Sequence, residues 1–285
     1  MRAGRIDRRL VQAKAARMRY DIIEMIAAAR SGHPGGSLSA ADIVATLYFG
    51  VMTHDPLRPD APERDRFVLS KGHAAPVLYA ALAEAGYFGR EHLATLRRLG
   101  SLLQGHPDST KTPGVEVSTG SLGQGLSIAC GVALGLAPAP AGLPTVYCLL
   151  GDGECQEGQV WEAAMFAAHE RLENLVAIVD RNGLQIDGAC TEVMCLGAIE
   201  AKFAAFGWEV ATCDGHDVEG VAESLARVRS APGRPGVVVA TTVKGRGVSF
   251  MEGEAGWHGR APSAEETERA LAELRAALAE VGAAL

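Results

Sequence analysis

The chain has 285 residues, of which 48% are hydrophobic and 21% charged, with a formal net charge of −7. This is a globular balance with enough apolar residues for a large core, and the acidic excess argues against a nucleic-acid or anionic-membrane surface. No apolar run reaches the roughly 20 residues that span a bilayer, the segment Met1-Arg2-Ala3-Gly4-Arg5 lacks an apolar leader core, and six cysteines without CxxC spacing read as reduced thiols, so the expected setting is cytoplasmic.

Residues 7–29 carry Val11, Ala15, Met18, Ile22, Met25 and Ile26 at helical spacing and predict one amphipathic helix. Ser31-Gly32-His33-Pro34-Gly35-Gly36 reads as a glycine-rich loop, with Ser39 as the cap of a second helix through Phe49. A third helix is expected from His73 to Gly86. The segment 118–125 is a glycine-rich turn before an apolar helix from Leu126 to Leu136, whose Gly131 and Gly135 suggest close packing. Residues 138–142 read as a surface linker. Thr145–Leu150 and Leu175–Val179 are short, β-branched apolar runs, the pattern of buried strands, and they flank a helix over Val160–His169 with Trp161, Ala164, Met165 and Ala168 on one face. The alternation continues as a strand at 208–213, a helix at Val218–Arg229, a strand at 237–243 and a closing helix over 263–285, whose Glu265 and Glu266 suit its N-terminal dipole. This pattern predicts one α/β domain over residues 1–285, a doubly wound, mainly parallel sheet with helices on both faces.

The most informative residues are Gly151-Asp152-Gly153-Glu154 and, thirty positions after Asp152, Asn182. A strand–helix–strand unit of this length makes a parallel crossover, so both loops emerge at one carboxyl edge of the sheet. Magnesium takes oxygen ligands, commonly one or two carboxylates together with phosphates and water. Asp152 offers charge, Asn182 a neutral oxygen, and the turn Asn182-Gly183-Leu184 a backbone carbonyl. Gly153 lets the chain approach a diphosphate closely. The alternative is two ordinary turns, Asp152-Gly153 and Asn182-Gly183.

The stretch from Gly151 to Gly188 resembles the thiamine diphosphate signature in its transketolase form, GDGxxQEG at the front and NxxxIDG at the back. SGHPGG at 31–36, SKGHA at 70–74, GHP at 105–107, TGSLGQG at 119–125 and WHG at 257–259 agree with the same family, so the similarity runs from about Ser31 to Gly259. The resemblance implies a thiamine diphosphate-binding fold of the diphosphate-binding (PP) type, with Mg2+ (Ca2+ or Mn2+ as substitutes) held by Asp152, Asn182 and Leu184. It implies cofactor contacts from His73, Gly120, Ser121, Leu122, Gly153, Glu157, Asn182 and His258. His33, His106 and His258 are implied beside the reacting carbon, where an imidazole both gives and accepts a proton. Ser121 stands where the family often has proline. Glu157 has two readings, an acid at a helix N-terminus or an interface glutamate facing a partner's catalytic glutamate. Lys244 ends a strand and has two readings, a point charge approaching phosphate or an exposed loop lysine, of which the second is preferred. Cys155 is read as a bystander rather than a reactive thiol, and His54, His92, His169 and His216 have no assigned role.

In the family the ring-protonating glutamate belongs to a separate pyrimidine-binding domain, and the resemblance leads to the expectation that this domain lies on another chain. The resemblance therefore implies a split enzyme in which a second chain brings that domain, in an α2β2 assembly. The implied reaction moves a two-carbon ketol unit from a ketose phosphate to an aldose through an ylid and a dihydroxyethyl adduct. Competing readings are a 1-deoxyxylulose-5-phosphate synthase-like subunit, the alpha subunit of a 2-oxoacid dehydrogenase, a non-catalytic scaffold, and a nicotinamide-dependent dehydrogenase. The GHP, KGHA and WHG loops separate this chain from the 2-oxoacid enzymes. The retained Asp152, Asn182 and His33 argue against a scaffold, and no GxGxxG follows a first strand.

Overall fold

In the computed structural model, which describes residues 6–136 and 142–282, the β-branched apolar runs become neighbouring strands of one sheet. The strands are β1 (Arg66–Leu69), β2 (Val146–Gly151), β3 (Leu175–Arg181), a short antiparallel hairpin of β4 (Leu184–Gln185) and β5 (Gly188–Ala189), then β6 (Glu209–Asp214) and β7 (Gly236–Thr241). The main sheet has the order β1-β2-β3-β7-β6, and every neighbouring pair is parallel. The helices are α1 (Arg8–Ala29), α2 (Pro34–Ser39), α3 (Ala41–Thr46, continued by a π turn to Val51), α4 (Ala75–Ala85), α5 (Gln124–Gly135), α6 (Gly158–His169), α7 (Cys190–Val193), α8 (Ile199–Ala205), α9 (Val218–Arg229) and α10 (Ala264–Gly282).

Side chains alternate across each strand, so the sheet divides the core in two. Tyr147, Leu149, Val176 and Ile178 pack with Ile22 of α1, Val44 of α3, Leu78 of α4 and Leu225 of α9. Val146, Cys148, Leu150, Ala177 and Val179 pack with Leu126 of α5, Ala164 of α6 and Phe203 of α8. Each fully buried Leu, Ile or Val contributes about 1.5–3 kcal/mol of transfer free energy. Helices therefore cover both faces, as the alternating pattern predicts.

Register sets the site. Val146 pairs with Leu175 and Gly151 with Asp180, while Arg181 pairs with Thr241 and Leu69 with Leu149. All strands run the same way, so the residues just beyond them, Lys71, Asp152, Asn182 and Thr242, share one carboxyl edge. Among the described residues no helix is long and apolar enough to cross a membrane.

Several expectations are corrected. The Ser31–Gly36 stretch is not all loop, because α2 already begins at Pro34, whose fixed φ suits a first helical turn. Ser39 does not cap the next helix. It is fully buried at the end of α2 and donates to Gly36 O and to Asp180. The buried face of α6 is Val160, Ala163, Ala164 and Ala167, while Met165 is 55% exposed. The two stripes share the same helical spacing, and the smaller residues are the buried ones because α6 packs closely against α5. A Cβ on Gly131 or Gly135 would meet nothing within 4 Å, so neither mediates close packing. Gly125 does so instead, since a Cβ there would lie 2.6 Å from Ser70 Cα. The strand β1 lies in a stretch whose sequence pattern points to no element. The expected linker at 138–142 lies, apart from Gly142, outside the described residues.

The glycine contrast is testable by thermal and urea denaturation of the isolated chain. Gly125→Ala should lose about 1–3 kcal/mol through overpacking against backbone. Gly131→Ala, exposed in mid-helix, should gain about 0.5–1 kcal/mol from the better helix former.

Candidate active site

The two loop tips at the carboxyl edge are knitted together. Gly183 N–H donates to Asp152 Oδ2 at 2.6 Å, and Gly153 N–H donates to Asp152 Oδ1 at 2.9 Å. Asn182 Oδ1 accepts from Leu184 N–H at 3.1 Å, the side-chain-to-backbone closure that shapes this turn, and Gly183 takes the left-handed φ of 77° that glycine tolerates. Each of these oxygens has a second lone pair besides the one its backbone donor takes. Leu184 O accepts from Lys244 Nζ at 3.1 Å.

These groups line a cavity of about 290 Å³, together with Gly36, Lys71, His73, Leu122, Glu154, Glu157, Ile186 and His258. Asp152 is buried, and desolvation raises its pKa against the lowering by its two backbone donors. A buried carboxylate of this kind calls for a cation. Among the described residues no three His, Cys, Asp or Glu side chains converge as a metal site. The available set is instead one carboxylate, one amide oxygen and one main-chain carbonyl. These are hard oxygen donors, and they fit magnesium or calcium when phosphate oxygens complete the shell.

Positive charge lies on the same wall. Lys71 is buried and pairs with the fully buried Asp180, which also accepts from Ser39 and Thr242, and Lys71 Nζ donates to Gly36 O at 2.8 Å. Lys244, expected to be an exposed loop lysine, is only 2% exposed. Burial, with Lys71 nearby, lowers its pKa to about 8. Glu154 is buried and accepts from Ser70 Oγ, and from Gly123 N and Gly151 N at 3.0 Å each. It thereby fixes the turn before α5 against the Asp152 loop. Lys71 and Glu154 were missed as site residues, and for Lys244 the sequence favoured the exposed reading over the phosphate-side one. Lys71 and Glu154 stand inside the SKGHA and GDGE motifs, whereas Lys244 offered only its place at a strand end.

The four loop histidines gather beside this wall. Ring centroids are 4.9 Å apart for His73 and His258, 5.3 Å for His33 and His73, 5.6 Å for His33 and His258, and 6.3 Å for His33 and His106. Burial first, then neighbouring cations, lowers His33 and His258 to about 4 and His73 to about 2; His106 is lowered by burial and by Arg97. All four are therefore neutral near pH 7. Lys244 Nζ donates to His258 Nδ1 at 3.1 Å, which leaves the proton of that ring on Nε2. Arg97, another residue missed from sequence, donates to Ser31 Oγ at 2.7 Å and lies 3.5 Å from His33 Nδ1.

Of the sequence-predicted residues, His73, Leu122, Asp152, Gly153, Glu157, Asn182, Leu184 and His258 line the cavity. His33 joins through His73 and His258, and His106 through His33, with Gly120 packed on the His106 ring. Ser121 is exposed and lies outside the cavity wall. Glu157 is exposed at the N-cap position of α6 and makes no side-chain cap bond. Cys155 is fully buried with its thiol pKa pushed well up, as a bystander should be, and all six cysteines are unpaired.

The family model described as the transketolase thiamine diphosphate-binding domain matches residues 10–278. The chain is 46% identical to the 6-deoxy-6-sulfo-D-fructose transketolase subunit SqwG of Clostridium sp. strain MSTE9, over 93% of this chain and 96% of that one. It is 43% identical to one subunit of the apulose-4-phosphate transketolase of Actinobacillus succinogenes, over 93% and 95%. Among solved structures it resembles transketolase from Leishmania mexicana (TM-score 0.85, 32% identity) and from Pichia stipitis (TM-score 0.86, 32% identity). In both cases the likeness covers 96% of this chain, which spans only 45% and 44% of those longer chains.

The neutral imidazoles give a pH prediction. Their folded pKa values lie below the ordinary 6.5, so the unfolded chain binds more protons and stability falls as pH drops from about 6.5 towards 4. Urea midpoints between pH 7.5 and 4.5 should decline, and His258→Gln should flatten the decline.

Proposed function

Because this chain belongs to the transketolase thiamine diphosphate-binding domain family, we propose that it is the diphosphate-binding subunit of a two-component transketolase. With a partner chain it transfers a two-carbon ketol unit from a ketose to an aldose-type acceptor. The observation that carries this reading is the joined pair of loop tips, Asp152 and Asn182–Leu184, opening on a cavity walled by Lys71, Lys244 and neutral histidines.

In this reading Asp152, Asn182 and the Leu184 carbonyl would hold Mg2+, with Ca2+ or Mn2+ as substitutes, and the ion would neutralise the charge of a bound diphosphate. His73, Lys244 and His258 would donate to diphosphate oxygens, Gly153 would let the backbone come close to them, and Leu122, with Gly120 behind it, would support the rings. Thiamine diphosphate, when bound, supplies a nucleophilic carbon and an electron sink. The chain contributes position and electrostatics. Neutral His33, His106 and His258 accept and return protons at the hydroxyls of the ketose. Leu122 and Ile186 line the same cavity and would help exclude water from a cofactor bound there.

A second chain is part of the proposal. Relatives of the same length are named as subunits, whereas the matched solved transketolases are more than twice as long. The apolar surface supports it too: Ile128 and Leu134 of α5, Met165 and Phe166 of the neighbouring α6, and Ile186 in the cavity wall are 37–67% exposed. Exposed apolar side chains on two adjacent helices suit a partner interface better than bare solvent. We take the partner to carry the pyrimidine-binding domain, in an α2β2 assembly, with Glu157 directed to it. The substrates are anionic sugars, a ketose phosphate or, as one relative's name suggests, a sulfonated ketose.

Two measurements on the copurified complex test this. Asp152→Ala should abolish magnesium-dependent retention of thiamine diphosphate through gel filtration, and unchanged retention refutes the metal assignment. His33→Ala should lower kcat by about 10²-fold or more while cofactor affinity changes less than about threefold. Equal losses in both contradict a substrate-side role.

A further inference from the structure

We infer that His216, which stands outside the cavity wall, positions Lys244 at the cavity. The inference rests on the proposed cofactor site and extends it to a buried chain of contacts behind the wall. Beyond β7, Thr242 N–H still follows the sheet and donates to Arg181 O at 3.0 Å. The next amide, Val243 N–H, turns to a side chain and donates to His216 Nε2 at 2.9 Å. His216 Nδ1 lies 2.7 Å from Asp42 Oδ2.

These two contacts fix the tautomer. A backbone N–H is always a donor, so Nε2 is unprotonated and Nδ1 carries the proton that Asp42 accepts. Asp42 on α3 is 7% exposed and takes both terminal nitrogens of Arg19 from α1. The imidazole is thus anchored by a charged pair spanning two helices, and its other face holds one backbone amide.

The residue that follows is Lys244. Its ammonium meets Leu184 O and His258 Nδ1 at 3.1 Å each, and Gly245 N–H donates to Gly35 O at 3.0 Å. A Cβ on Gly35 would lie 2.9 Å from Lys244 Cγ, so the lysine stem runs tightly along the start of α2. One held amide therefore sets three further contacts: the ammonium on the expected metal-ligand carbonyl, the ammonium on His258, and the bond to Gly35. A displacement of about 1 Å removes hydrogen bonds of this length.

The test compares wild type, His216→Phe, His216→Gln, Lys244→Met and the double variant His216→Phe/Lys244→Met, each copurified with the partner subunit. Amide exchange over residues 243–247 is read without cofactor, and thiamine diphosphate affinity by calorimetry at fixed magnesium. Phenylalanine fills the space of the ring but accepts nothing, whereas the glutamine carbonyl reaches the place of Nε2. His216→Phe should raise exchange at 243–247 and raise Kd about tenfold. His216→Gln should stay within about threefold of wild type, and the double variant should bind no more than about threefold more weakly than Lys244→Met alone, because both substitutions act through one ammonium. Multiplying losses, or wild-type exchange in His216→Phe, overturn the inference. Where the phenylalanine chain does not fold, His216→Gln decides: retained protection and affinity agree with it, and loss of both overturns it. If wild type binds no thiamine diphosphate, the cofactor reading falls, and amide exchange over 243–247 still decides whether His216 holds this loop.

Discussion

The hydrogen bond from Gly183 N–H to Asp152 Oδ2 joins two loops that belong to different strands. Its existence depends on the parallel register that brings Gly151 beside Asp180, and so on the crossover through α6. It orients a buried carboxylate whose second oxygen is held by Gly153. Leu184 O then falls within reach of Lys244, and the hairpin of β4 and β5 is set over the cavity. Without this tie Asp152 would lose the donor that fixes its carboxylate against the Asn182 turn.

Charge in the site is balanced by burial rather than by solvent. Asp152, Glu154 and Asp180 are acidic and buried, Lys71 and Lys244 are basic and buried, and the four loop histidines are held neutral. Asp180 absorbs Lys71, and Glu154 absorbs three hydrogen-bond donors. Asp152 is held by backbone donors rather than by a paired cation, and Lys244 faces neutral acceptors. This residual dipole across the cavity is what an ion and an anionic cofactor would complete.

Much of the fold was legible because the central strands are continuous β-branched runs whose burial needs no distant partner to predict. The helix Val218–Arg229 has the limits read from sequence, since its apolar periodicity is unambiguous. Other features depend on what packs from elsewhere. The strand β1 is four residues long and too short to stand out. The buried stripe of α6 could not be chosen by spacing, because small and large residues offered equally good stripes. The burial of Lys244 comes in part from the start of α2, remote in sequence, where a Cβ on Gly35 would lie 2.9 Å from Lys244 Cγ. Likewise the motifs located His33, His73, His106 and His258, but only packing shows that these rings touch.

The central claim is that Asp152, Asn182 and the Leu184 carbonyl form one ion site. Anomalous diffraction from crystals of the complex grown with manganese and thiamine diphosphate tests it most directly. The account predicts a manganese peak about 2.2 Å from Asp152, Asn182 and Leu184 oxygens, bridging them to the diphosphate. A manganese peak elsewhere, or bound cofactor without a peak at these oxygens, contradicts it.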